Sequence, residues 1–141
     1  MNHEDTKAQR STMFVPLSER ENWISKQIVN ISFSIHNHLG PGLLESVYEK
    51  CFCNELEARK IHYQRQKNVA LVYNNILIDD GLRIDILIDD LVIVELKAQD
   101  VYHPVWDAQL LSYLKLTGKR LGFLINFHVP LIKNGIKRMI Y

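Results

Sequence analysis

Apolar residues recur first at helical and then at strand spacing along this chain. Ile24, Ile28, Ile31, Ile35 and Leu39 share one face of a 3.6-residue helix behind Ser18-Glu19-Arg20-Glu21, an S-x-x-E capping box. The pattern predicts a first helix over about residues 18–38. Gly40-Pro41-Gly42 ends it. A second helix follows over about 43–60, with Leu44, Val47, Tyr48, Cys51 and Phe52 on one face. Glu45 lies at the margin of that face, near Phe52 and Leu56, where a carboxylate can reach into a cleft. Further on, the period drops to two. Val69–Tyr73 reads as a strand, Asn74-Asn75 as a tight turn, Ile76–Ile78 as a short return and Asp79-Asp80-Gly81 as another turn. Leu82–Ile88 and Leu91–Leu96 read as two more strands. A helix is expected over 104–117, with Pro104 in its first turn and Gly118 past its end. Strands are then expected over Leu121–Phe127 and about 136–140. Helices, a β-meander, a helix and a strand make an α/β (α+β) layer fold. Residues 1–17 read as a flexible polar arm ahead of a single domain, 18–141.

The pairing of the central strands carries the chemistry. With Asp89-Asp90 as a two-residue turn, Asp85 faces Val94, and Glu95 and Lys97 join the face of Ile84 and Leu82, a costly place for charge. With Asp89-Asp90-Leu91 as the loop, Asp85 faces Glu95. Leu82, Ile84, Ile86, Ile88, Val92, Val94 and Leu96 then form one apolar face, while Arg83, Asp85, Glu95 and Lys97 gather on the other. The apolar pattern prefers this second register, and the charge cluster follows from it. Two carboxylates on opposed residues, with Cβ atoms about 5 Å apart, can share one hard cation. Mg²⁺ takes one or two carboxylates plus phosphate oxygens and would polarise a phosphate and acidify a bound water. Lys97 points the same way and could orient that water or offset charge building on phosphorus. The same spacing also suits a plain salt-bridged cluster on a solvated sheet face.

Composition sets broad limits. The 141 residues are 47% hydrophobic and 23% charged, the make-up of an ordinary globular domain. No apolar run is long enough to span a bilayer. The start, MNHEDTKAQR, lacks the form of a secretory signal, so a cytoplasmic location is expected. Cys51 and Cys53 diverge on a helix and read as reduced thiols. Net charge is +1, but residues 98–141 carry six Lys and Arg against two acids, a mildly basic segment able to meet a phosphate backbone. His36 and His38 diverge on their helix and do not read as a metal pair. Trp106 reads as core.

Three motifs carry a resemblance. Asp85 followed by Glu95-Leu96-Lys97 is similar to the signature of the PD-(D/E)XK nuclease superfamily, with Ile84 where that name has Pro. Gly42-Leu43-Leu44-Glu45-Ser46-Val47-Tyr48 matches G-x-x-E-x-x-Y of the GxxExxY family within it. Gln109-Leu110-Leu111-Ser112-Tyr113 resembles the Q-x-x-x-Y helix of RecB-like nucleases. The resemblance covers roughly residues 20–141. It implies a restriction-endonuclease-like fold, a central mixed β-sheet flanked by helices. It also implies a Mg²⁺- or Mn²⁺-dependent nuclease, a hydrolase of nucleic-acid phosphodiesters with DNA the favoured substrate. Asp85, Glu95, Glu45 and the Leu96 backbone carbonyl would hold the metal. Lys97 would serve in catalysis with Glu45, Asp85 and Glu95, while Gln109 and Tyr113 would bind substrate. Tyr48 would bond within the site or pack in the core. A homodimer and no membrane attachment fit this picture.

A second reading keeps the fold but makes it an inactive module for binding or assembly, motivated by the low net charge. The positions of Lys115, Lys119, Arg120 and Lys133 around the Asp85–Glu95 cleft separate the two. A third reading is hydrolysis of a smaller phosphodiester, which a narrow cleft would favour.

Overall fold

A computed structural model describes residues 15–141. The expected N-terminal arm therefore lies largely outside the described residues, although Leu17 packs against the core.

Helix α1 spans Glu19–Leu39. Its capping box is formed: Ser18 Oγ accepts from Glu21 N at 3.0 Å, and Glu21 Oε1 accepts from Ser18 N at 2.8 Å. Gly40, at φ 68°, stops the helix by donating its N–H to His36 O. Helix α2 spans Glu45–Ala58, shorter at both ends than its sequence pattern suggests. The turn between the helices is closed by Tyr48. Its hydroxyl donates to Gly40 O at 2.7 Å and accepts from Leu43 N at 3.1 Å, and its ring stacks on Phe127 at 4.4 Å. Gly42 sits at φ 99°, a conformation that side chains with a Cβ rarely adopt.

Strands β1 (Tyr63–Tyr73), β2 (Ile76–Ile88), β3 (Val92–Lys97), β4 (Leu121–Asn126) and β5 (Ile136–Ile140) form one sheet in chain order. All neighbours are antiparallel except β3 and β4. That parallel pair needs a crossover, which helix α3 (Val105–Thr117) supplies. A 3₁₀ turn, Ile132–Asn134, leads into β5. The result is a mixed sheet with α1 and α2 on one face and α3 on the other, a restriction-endonuclease-like α+β fold.

Two expectations change. Asp79-Asp80-Gly81 is not a turn: β2 runs unbroken through it, and these residues bulge between the pairs Val69↔Leu82 and Leu71↔Ile78. Glycine is needed at 81 because a Cβ there would lie 2.4 Å from the Leu71 side chain. The loop Asp89-Asp90-Leu91 and its register are as the apolar pattern requires, with Ile86↔Val94, Leu87↔Ile93 and Ile88↔Val92. The single apolar face, however, is split. Ile86, Ile88, Val92, Val94 and Leu96 pack beneath α1 and α2. Leu82 and Ile84 instead join Leu87, Ile93, Trp106, Leu110 and Leu124 beneath α3. The change of side falls between Ile84 and Ile86. Gln66 of β1 lies across from that point and holds φ 51°, which interrupts regular pleating.

Removing the Tyr48 hydroxyl should loosen the α1–α2 turn without emptying the core. Tyr48→Phe is expected to lose about 1 kcal/mol in urea unfolding with an unchanged m-value.

Candidate active site

The β2–β3 ladder ends at Ile86↔Val94, and the next two residues pair through side chains. Glu95 Oε2 accepts the Asp85 N–H at 2.9 Å, and Asp85 Oδ2 accepts the Leu96 N–H at 2.9 Å. Each bond uses one oxygen of its carboxylate. Glu95 is almost fully buried and Asp85 half-buried. Burial, then the Asp85 charge, pushes the Glu95 carboxyl up to about 8. Burial also raises the Asp85 carboxyl, against the opposing pull of the Leu96 N–H and of Lys97.

Glu45 is the first residue of α2 and stands exposed at the rim. Its carboxyl is raised by partial burial and then by the Asp85 charge, and lowered by Lys97, so it shares the field of this centre. Lys97 forms no direct ion pair with these acids among the described residues. Its Nζ lies 5.5 Å from the centre of the Trp106 ring, whose indole is buried in the α3 core. On α3, Gln109 Nε2 donates to the Tyr113 hydroxyl at 3.1 Å. Tyr113 is raised first by burial and then by the Glu95 charge, which places its hydroxyl on the acids' side of the helix. The sequence-predicted residues thus converge on one region from four elements, β2, β3, α2 and α3. Tyr48 is separate, being committed to the α1–α2 turn.

Gln66, Glu49 and Asn126 escaped the sequence reading. Gln66 donates to Glu49 Oε1 at 2.6 Å, and its side chain lowers the Asp85 carboxyl against the effect of burial. With Glu45, Ser46 and Glu49 it lines a cavity of about 270 Å³. A single positive φ leaves no mark in sequence, so only its polar type within a strand hinted at a role. Buried Asn126 is the third. It stands beside Lys97 in the β3–β4 pair and clasps the chain after β3, accepting from Gln99 N at 3.1 Å and donating to Gln99 O at 3.0 Å.

The positive charge falls elsewhere than expected. Lys119 pairs with Asp90 at 3.1 Å, and Arg120 bonds Pro16 O and Tyr141 O. Both lie where β3 and β4 begin, while the acids lie near the other end of β3, roughly 15 Å along the sheet. Lys115 and Lys133 are exposed. Lys97 and Arg83 are the cations whose charge acts on Asp85. A cavity of about 450 Å³ lies between α1 and α2 and is lined by Ser34, His38, Lys50 and Cys51 rather than by the acids.

Among the described residues no three acids, histidines or cysteines form a ready metal cage. The donor chemistry nevertheless suits a hard divalent cation, which takes oxygen ligands and commonly only one or two carboxylates. Burial raises the proton affinity of both carboxyls, and the Asp85 charge adds to the rise at Glu95.

A profile of the PD-(D/E)XK nuclease superfamily matches residues 22–139. The chain belongs to this superfamily, whose members are generally nucleases. No curated protein and no solved structure matches it.

The raised Glu95 carboxyl has a measurable sign. A carboxyl whose folded pKa lies above its unfolded value favours the protonated folded state. Its contribution is complete below about 4.5 and is lost as pH rises through about 8. In chelator, thermal stability is expected to fall between these values, and Glu95→Gln, which keeps an acceptor for Asp85 N, should flatten that fall.

Proposed function

We propose that this protein is a Mg²⁺- or Mn²⁺-dependent nuclease that hydrolyses phosphodiester bonds of nucleic acid, DNA by preference. The observation that carries this reading is the reciprocal pairing of Asp85 and Glu95 inside the sheet, with Lys97 two residues on and Glu45 brought in from α2. A structural salt bridge would match these acids with close cations. Here they are buried together with their charge under-compensated. The G-x-x-E-x-x-Y motif on α2 further supports an affiliation with the GxxExxY family.

In this reading Asp85, Glu95 and the Leu96 carbonyl hold the cation, with Glu45 completing the set directly or through water. When bound, the cation supplies Lewis-acid activation of the phosphate and of the attacking water. The protein's own residues do the rest. The two backbone N–H groups fix the carboxylates before substrate arrives, so little reorganisation is needed. The Lys97 ammonium, held over Trp106, offsets charge on the non-bridging oxygens. Gln109 and Tyr113 present an amide and a hydroxyl to the substrate backbone from α3. The attacking water gives up a proton as its oxygen bonds to phosphorus, the bond from phosphorus to the leaving sugar oxygen breaks, and that oxygen takes up a proton from solvent.

The alternative, an inactive module for binding or assembly, draws support from Lys119 and Arg120 being engaged far from the acids. Cleavage of mixed DNA and RNA substrates distinguishes the two. Activity is expected with Mg²⁺ or Mn²⁺, none in EDTA, and Lys97→Ala should lower the rate about 10²- to 10³-fold. No cleavage of any substrate, together with no Asp85-dependent metal binding in calorimetry, would leave the inactive module as the reading.

A further inference from the structure

The β1–β2 hairpin runs past the body of the sheet. β3 pairs with β2 only over Ile86–Ile88, so residues 69–82 of the hairpin are paired only with each other. Its end is apolar on both faces. Val72 pairs with Leu77 on one face and Tyr73 with Ile76 on the other, and these four side chains are 60–67% exposed. Ile78 adds a fifth exposed side chain. At roughly 100 Å² each, these side chains leave about 200 Å² of apolar surface open on the Val72–Leu77 face and about 300 Å² on the Tyr73–Ile76–Ile78 face.

We propose that this arm is a homodimerisation surface, covered by the same arm of a second copy. Two observations select that occupant. First, residues 68–82 contain no Lys or Arg and two aspartates, Asp79 and Asp80, which disfavours a polyanionic partner such as nucleic acid or an acidic membrane surface. Second, β1 is an edge strand, and Val69–Tyr73 has neither the Lys nor the Pro that usually blocks edge pairing. A second copy brings an identical free edge, so a two-fold axis joins like to like. The bulge at Asp79–Gly81 bends the hairpin at the base of this arm.

The test uses the full chain without nucleic acid or metal. Sedimentation across micromolar concentrations should give twice the 16.5 kDa chain mass. The double variant V72E/L77K replaces one apolar cross-strand pair with an ion pair, which preserves the hairpin while removing two of its five exposed apolar side chains. It should sediment as a monomer with the circular dichroism and melting temperature of a folded chain. Hydrogen exchange of the unaltered protein offers a check that needs no variant, since protection of β1 amides pointing away from β2 should rise with concentration. A wild-type monomer throughout would overturn the proposal. So would a dimer that V72E/L77K leaves intact, or arm amides whose exchange ignores concentration.

Discussion

The reciprocal bonds between Asp85 and Glu95 and the facing backbone are the constraint on which this molecule turns. At the end of the β2–β3 ladder, two carboxylates take over the acceptor role that carbonyls play elsewhere in the sheet. A buried backbone N–H must find an acceptor, and here the acceptors are carboxyl oxygens. Neither acid can leave without orphaning a backbone donor, and while Asp85 stays its charge raises the Glu95 carboxyl. The local structure and the field of the site are therefore set by the same four atoms. That field reaches Glu45 on one side and Tyr113 on the other.

Strand pairing through side chains also explains how one sheet serves two cores. Once Asp85 leaves the ladder, β2 is free to change the side its apolar residues face. Ile86 and Ile88 close the core under α1 and α2, while Leu82 and Ile84 close the smaller core under α3. The acids lie at the seam between them. A seam is a practical place for buried polar groups, because neither core needs to be breached to reach them.

Much of this was legible in the sequence, for identifiable reasons. The α1 stripe and its capping box are local, and local rules governed them. The Asp85–Glu95 register was legible because only one alignment spared an apolar face from charge. What escaped depended on single backbone angles or distant partners. Asp79-Asp80-Gly81 has turn composition, yet its neighbours' β-propensity and the close approach of Leu71 make it a bulge. The split apolar face arises across from Gln66, whose left-handed conformation no composition announces. The engagement of Lys119 with Asp90 joins residues far apart in the chain, so a basic C-terminal segment did not become a basic rim around the acids.

The stack of Tyr48 on Phe127 has a mechanical meaning. Phe127 follows β4 directly, and its N–H donates to Lys97 O at 2.9 Å. The same tyrosine grips the turn from which α2, and hence Glu45, departs. An acid on a helix and a lysine on a strand are thereby bolted to one frame across the aromatic pair. Small displacements of α2 are shared with the strand ends instead of opening a gap between them, so the centre moves as a unit.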